Sequence, residues 1–379
     1  MPASTPPPFP EALTRFTRDL TALAPSPTPG RPLAIAVSGG PDSMALLALA
    51  ATAFPGSVIA ATVDHRLRAA SVDEALMVAD WCRAHAIRHA TLWPDKPPAG
   101  ASIQAQARHA RYALLADWAL AAHATALATA HHADDQAETF LMRAARASGP
   151  AGLAGIRPRW EFDADQWLAG APNPTRTPAK AEVQLGDVPA FQGYRPGGAP
   201  VSTGVRQEGT AGTLPVVRPL LTWRRTHLRA IAADLPFIDD PSNTDPRHDR
   251  THVRALLAAG HIDPRALAAA AAHCREADAG LTETVDWLWR TRRHDAEAGE
   301  HRIDMADLPR ELRRRLARCA ITDVRLTDGI TEGNWSDAAN IESLLDALGS
   351  GGKATQAGVL ASARAGIWHF RPAPPRRSD

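Results

Sequence analysis

Cysteine is nearly absent from this chain of 379 residues. Cys82, Cys274 and Cys319 stand far apart, so no C-x-x-C redox pair and no four-cysteine zinc knuckle can be assembled locally, and a disulfide-stapled scaffold is excluded. Scattered thiols of this kind suit a reducing compartment. Lysine is as scarce: of the 42 basic residues only Lys96, Lys180 and Lys353 are lysines, and the rest are arginines. Arginine's planar fork suits bidentate phosphate contact, although a GC-rich coding bias gives the same composition. Excess charge of one sign is missing too, because the net charge is +1 and names no polyanionic partner by itself. No apolar run approaches the ~20 residues that span a bilayer. Residues 1–10 are proline-rich, with neither the basic nor the apolar region of a secretory signal. The expectation is a cytoplasmic protein with no membrane partner. Hydrophobic residues at 45% and charged residues at 22% are ordinary for a folded globular chain.

The length suggests two or three domains. An apolar run at 33–37 ends in a glycine turn that opens a helical pattern, and runs at 58–63, 89–93 and 124–130 alternate with helical patterns near 71–85, 102–122 and 134–147. That alternation predicts an α/β fold with a doubly wound parallel sheet. The periodicity fails between Arg157 and Leu214, where Pro and Gly cluster, so this stretch is expected to be a mobile surface insertion. Helical patterns return at 254–259, 264–289 and 309–320. They imply a smaller, mostly helical domain and then a short C-terminal α+β segment, with a helix at 341–348 and a hairpin from 355–360 and 366–370. The expected division is an N-terminal extension with a helix (1–30), a nucleotide-binding domain (31–157), the insertion (158–213), the end of that domain and a linker (214–240), a helical domain (241–325) and a C-terminal segment (326–379).

Two motifs carry chemistry. Ser38-Gly39-Gly40-Pro41-Asp42-Ser43 lies between strand and helix, where backbone N–H groups and the positive end of the helix dipole make an anion site. Two glycines allow close approach to a phosphate, Ser38 and Ser43 add hydroxyls, and Asp42 either caps the helix or holds a Mg²⁺ bridging phosphate oxygens. Neither the Walker pattern nor G-x-G-x-x-G is present. The second motif is His131-His132-Ala133-Asp134-Asp135-Gln136-Ala137-Glu138-Thr139. His131, Asp134, Asp135 and Glu138 follow a spacing that can share one helix face. They suit a helix N-terminus, a Zn²⁺ or Mn²⁺ hydrolase site, or capture of a cationic nucleophile. Topology favours the last: with strands ordered 3-2-1-4-5, the loops after strands 1 and 4 open into one crevice. A phosphate loop facing an acidic, His-bearing helix suits ATP-dependent activation followed by attack of an amine.

Further segments complete a pattern: Val63-Asp64-His65-Arg66-Leu67-Arg68, Ala107-Arg108-His109-Ala110-Arg111-Tyr112, Ser148-Gly149-Pro150-Ala151-Gly152-Leu153, Val217-Arg218-Pro219-Leu220-Leu221 and Asp240-Pro241-Ser242-Asn243. With the two motifs and in this order, the chain resembles the tRNA(Ile)-lysidine synthetases of the PP-loop N-type ATP pyrophosphatases. The resemblance implies adenylation of C2 of the wobble cytidine in the CAU anticodon of a minor isoleucine tRNA, with release of pyrophosphate. The ε-amine of free L-lysine then displaces AMP.

It also implies ATP contacts from Ser38, Gly39, Gly40, Pro41, Asp42 and Ser43, with Asp42 as the Mg²⁺ contact. Asp64 and His65 would lie near the adenosine, and Arg111 near the triphosphate or the adenylated base. Asp134, Asp135 and Glu138 would bind the lysine ammonium or metal, and His131 would help deprotonate the amine. Arg143, Arg146, Arg218, Arg224, Arg225, Arg250 and Arg254, with Arg229 and Arg247, form the candidate tRNA track. Arg313, Arg314, Arg315 and Arg318 are a second candidate, and Trp160, Trp167 and Tyr194 are possible base-stacking residues. Ala147 stands where the family usually has glycine, and Thr251 where asparagine is common. The competing readings are a PP-loop tRNA thiolase, for which the paired cysteines are missing, and a metal-dependent phosphohydrolase.

Overall fold

The computed structural model describes residues 10–64, 70–94, 103–163, 180–184, 201–202, 213–239, 249–297, 299–331, 335–336 and 339–374. The chain forms two compact units, Met1–His273 and Cys274–Asp379. The division therefore falls inside the helix Pro264–Thr291 and not near 241.

The first unit is built on an eight-stranded sheet ordered β5-β8-β4-β1-β2-β3-β6-β7. Its strands are β1 (Leu33–Ala36), β2 (Val58–Val63), β3 (Arg88–Trp93), β4 (Ala126–Ala128), β5 (Arg159–Asp163), β6 (Lys180–Gln184), β7 (Val201–Ser202) and β8 (Thr213–Val217). β3, β2, β1, β4 and β8 are mutually parallel, so the expected 3-2-1-4 order holds, with β8 as the fifth parallel strand. Alternation along β1 sends Leu33 and Ile35 into one core and Ala34 into the other. The first core lies under α1 (Pro10–Thr21), α2 (Pro41–Ala53) and α3 (Ala70–Ala84), with Phe16, Leu20, Met44 and Trp223 buried in it. The second lies under α4 (Ile103–Ala121) and holds Tyr112, Leu115, Phe162 and Val216. Two further helices, α5 (Ala133–Ala144) and α6 (Pro150–Leu153), follow β4.

The expectation of a plain loop over the insertion is corrected at both ends of the sheet. β5 pairs antiparallel with β8, and Phe162 on it is 2% exposed. β6 pairs antiparallel with β3. No periodicity signalled these strands because each has only five residues, too few alternations to stand out; β5 is an edge strand and β6 lies between β3 and the two-residue β7. Of the rest of the insertion, 164–179, 185–200 and 203–212 lie outside the described residues.

The second unit is an antiparallel sheet ordered β11-β12-β13-β10-β9, formed by β9 (Arg293–His294), β10 (His301–Asp304), β11 (Lys353–Gln356), β12 (Val359–Arg364) and β13 (Ile367–Pro372). The helices Arg310–Thr327 and Glu342–Gly349 close its apolar face over Ile303, Leu316, Ile321, Leu345, Trp368 and Phe370. A boundary at 325 would cut this unit in two, since β10 pairs with β13. The hairpin expected from 355–360 and 366–370 is shifted: 355–360 straddles the turn between β11 and β12, and the final pair is β12 with β13. Among the described residues no helix is long and apolar enough to cross a membrane.

Candidate active site

The loop after β1 is held open by its own bonds. Gly39 has φ +80°, a conformation that penalises any Cβ, and its carbonyl accepts from the Ile238 N–H at 3.0 Å. Gly40 is the residue before α2, and Pro41 takes the first helical position, where a missing N–H costs nothing. Ser43 Oγ accepts from the Ser38 N–H at 3.2 Å and donates to the Gly40 carbonyl at 2.9 Å, and the two serine hydroxyls lie 3.2 Å apart. Asp42 sits in the first turn of α2. Its Oδ2 lies 3.3 Å from His132 Nε2, while its Oδ1 is buried with no hydrogen-bond partner.

His132 is the meeting point of the two motifs. It is 2% exposed and occupies the N-cap of α5, where Nδ1 accepts from the Asp135 N–H at 3.2 Å and Asp135 Oδ2 accepts from the His132 N–H at 3.1 Å. This is a reciprocal capping box with an imidazole in place of the usual hydroxyl. Burial disfavours the imidazolium, but the Asp42 hydrogen bond and the charges of Asp135, Asp42 and Asp134 outweigh it and hold the pKa above the ordinary histidine value. In the neutral ring the proton belongs on Nε2, since a proton on Nδ1 would face the Asp135 N–H and forfeit the cap.

The spacing argument placed His131 on the acidic helix face, but the helix begins at Ala133. His131 precedes the helix and its N-cap, with its Nδ1 3.0 Å from Thr129 Oγ1. Sequence reasoning therefore selected His131 and passed over His132. The signal that finds His132 is the capping-box interval to Asp135.

The acids divide by partner. Asp134 Oδ2 accepts from the Arg225 backbone N–H at 2.8 Å and from Arg224 Nε at 3.2 Å, which ties α5 to the helix Arg225–Ile231. Glu138 is 2% exposed, and its Oε1 accepts from Arg254 Nε at 2.8 Å. Arg254 lies on the helix Asp249–Ala258. Gln136, also buried, clamps the loop after α5: its Nε2 donates to the Ala154 carbonyl, and its Oε1 accepts from the Ile156 N–H at 2.7 Å. A Cβ on Gly155, at φ +68°, would meet that amide at 2.7 Å, so this glycine is required. Asp64 closes β2, buried, with its N–H donating to the Leu92 carbonyl. Arg111 lies on the exposed side of α4. His65, Asp240 to Asn243 and Arg247 fall outside the described residues, as does the side chain of Arg250.

The basic track is largely committed within the protein. Arg218 is 5% exposed, and its guanidinium donates to the Arg157 carbonyl and the Tyr112 hydroxyl, so it braces α4 against the sheet and is withdrawn from the surface. Arg143 donates to the Gly152 carbonyl at 2.6 Å, and Arg229 pairs with Asp239. Arg224 also reaches Asp263. Arg225 Nε is buried with no acceptor, and Arg146 is exposed.

In the second unit Arg314 and Arg315 join Glu311, Glu342 and Asp278 in an ion-pair network, while Arg313 and Arg318 donate to the Met305 and Ala339 carbonyls. The alternative RNA face is thus occupied by protein acceptors. Trp160 packs edge-on to Tyr112 at 5.5 Å, as a core residue does, and Trp167 and Tyr194 are not among the described residues.

Among the described residues no three His, Cys, Asp or Glu side chains converge as an all-protein metal cage. Magnesium bound with phosphates needs only one or two carboxylates, and the orphaned Asp42 Oδ1 fits that demand.

The family model of a PP-loop domain matches residues 12–172. The chain is 39% identical over 371 residues to a tRNA(Ile)-lysidine synthase of Novosphingobium aromaticivorans, covering 97% of this chain and 96% of that protein. It is 36% identical over 374 residues to the tRNA(Ile)-lysidine synthase of Zymomonas mobilis, covering 96% and 95%. Among solved structures, a U34-tRNA thiolase from Methanococcus maripaludis aligns at TM-score 0.45 and 14% identity over 70% of this chain and 78% of that one, which is too loose to bear on mechanism.

Proposed function

The chain belongs to the tRNA(Ile)-lysidine synthase family, and from that premise we propose that it joins free L-lysine to C2 of the wobble cytidine in the CAU anticodon of a minor isoleucine tRNA, consuming ATP. The observation that carries this reading is the Asp42–His132 contact at 3.3 Å, which fastens a phosphate loop to the N-terminus of an acidic helix. The two half-reactions need those two sites side by side.

In the first half-reaction the C2 oxygen of cytidine attacks the α-phosphorus of ATP, and pyrophosphate leaves. Gly39, Gly40 and the serine hydroxyls at the N-terminus of α2 receive the phosphate oxygens, where the helix dipole favours negative charge. Asp42 would hold Mg²⁺ through Oδ1, and that ion would offset phosphate charge as pyrophosphate departs. In the second half-reaction the lysine ε-nitrogen attacks C2, AMP leaves with the former C2 oxygen, and the nitrogen loses a proton. Glu138 and Asp135 line the side that attracts the ammonium. His131, oriented by Thr129, accepts the proton once the amine is bound. Arg225, whose Nε has no acceptor within the protein, is the arginine assigned to meet RNA phosphate.

Incubation with ATP, radiolabelled lysine and tRNA tests the reading. AMP and labelled tRNA that appear only when lysine and tRNA are both present support it, whereas metal-dependent phosphate release without lysine would overturn it in favour of a hydrolase.

A further inference from the structure

We propose that His132 is a positioning residue for adenylation, acting through Asp42: it fixes the rotation of that carboxylate so that Oδ1 alone is turned toward the bound nucleotide and its metal. This rests on the ATP-dependent reading above. The geometry separates two jobs on one ring. Nδ1 accepts from the Asp135 N–H and caps α5, while Nε2 reaches Asp42 Oδ2 at 3.3 Å and Asp135 Oδ2 at 3.5 Å. The ring itself is buried and cannot swing to solvent, since both faces of its plane are enclosed at 2% exposure.

Without a donor on Oδ2, nothing described in the first turn of α2 would set the carboxylate. The Ser43 and Met44 N–H groups already donate to the Gly40 carbonyl at 3.1 and 3.0 Å. A carboxylate free to rotate presents either oxygen, or a solvated one, to an incoming ion. With Oδ2 bonded, Oδ1 is left buried and unpartnered, a state that costs free energy unless a ligand supplies the missing contact. Groups that orient a metal ligand in this way commonly carry 10- to 100-fold effects on affinity or activity. The same ring also anchors the first turn of the helix that carries Asp135 and Glu138. One side chain thereby sets the phosphate loop and the acidic helix in a common frame.

Two substitutions split the jobs. Asparagine can place a polar atom near the position of Nδ1 but does not reach Asp42, and glutamine can reach toward Asp42 but not cap in the same way. ATP binding to the full chain is measured by titration calorimetry with Mg²⁺ and with EDTA, alongside melting temperature and the kcat and KM of AMP formation. His132→Asn should melt near the parent protein and lose about tenfold or more of the Mg²⁺-dependent gain in ATP affinity, with kcat falling 10- to 100-fold at little change in lysine KM. His132→Gln should keep most of that gain while melting about 2–4 °C lower.

A His132→Asn protein with the parent's Mg²⁺ gain and kcat would reduce His132 to a helix cap and overturn the proposal. Should His132→Asn fail to fold, the glutamine variant decides: retention of the Mg²⁺ gain supports the proposal and its loss overturns it. The binding titrations read the proposal even if the parent chain forms no lysine-dependent AMP, so failure of the function and failure of the inference are told apart.

Discussion

Arg224 and Asp134 are bound to each other, with Nε 3.3 and 3.2 Å from the two carboxylate oxygens, and the neighbouring Arg225 N–H donates to the same carboxylate at 2.8 Å. An arginine expected on an RNA track is therefore a strut between two helices, and the acid expected in the site is its anchor. Arg224→Ala should cost about 1–2 kcal/mol, between the values for exposed and fully buried pairs. Urea unfolding gives that number, and an unchanged midpoint would show that the pair carries no stability.

Arg225 differs, because its side chain leaves Nε buried without an acceptor while its backbone alone holds Asp134. Arg225→Ala should weaken tRNA binding and reduce the log–log salt slope by up to ~0.9 for one phosphate contact on a duplex. ATP binding should be unaffected. If both tRNA affinity and slope match the parent protein, Arg225 touches no phosphate.

Asp42→Ala should abolish AMP formation in a folded protein, because the side chain belongs to the phosphate loop and to neither apolar core. Circular dichroism checks the fold. Near-parental AMP formation would remove Asp42 from the site.

Glu138 is buried against Arg254 one turn into α5, on the side expected to receive the nucleophile. Glu138→Ala should raise the lysine KM at least ~10-fold, equivalent to about 1.4 kcal/mol, while the ATP dissociation constant moves less than about twofold. An unaltered lysine KM and kcat would place the ammonium elsewhere.

Glu342, bonded by Arg314 and then Arg310, is held down to about 2 from a usual value of 4.5. A depressed carboxylate stabilises above its unfolded pKa and loses that contribution as pH falls through the folded one. The second unit should therefore lose stability between about pH 4.5 and 2, less so in high salt because Glu342 is 45% exposed. Glu342→Gln should flatten that stretch of the acid unfolding curve, and an unchanged curve would show that the pair is fully screened.

Ala147 adopts φ +51° just beyond α5, a region where a Cβ costs roughly 1–2 kcal/mol. Ala147→Gly should raise stability by about 0.5–1 kcal/mol after the glycine's extra freedom in the unfolded chain is counted. A lower urea midpoint would show that the surrounding turn already accommodates the methyl group.

The parallel sheet and the phosphate loop were readable because both are local patterns: short continuous apolar runs, as strands covered on both faces require, then glycines before a helix. His132 was obscured by its neighbour. Counting a helix face from residue 131 assumed helical geometry two residues before the helix begins, so the buried N-cap at His132 went unread. The internal bonds of the basic residues were hidden for a different reason, since the partners of Arg218 lie 61 and 106 residues away and that of Arg254 116 away, distances no local pattern registers. In the second unit, β9 and β10 escaped because strands of two and four residues carry too few alternations to stand out.

The antiparallel strands at the two sheet ends also set a timetable for synthesis. β3 is complete at Trp93, but β6, which covers its outer edge, begins only at Lys180. At about 5–20 residues per second the emerging chain would carry an open edge for on the order of ten seconds. Over that interval β3 offers unpaired N–H and C=O groups to any other nascent strand, so this stretch of translation is where mispairing between chains is easiest.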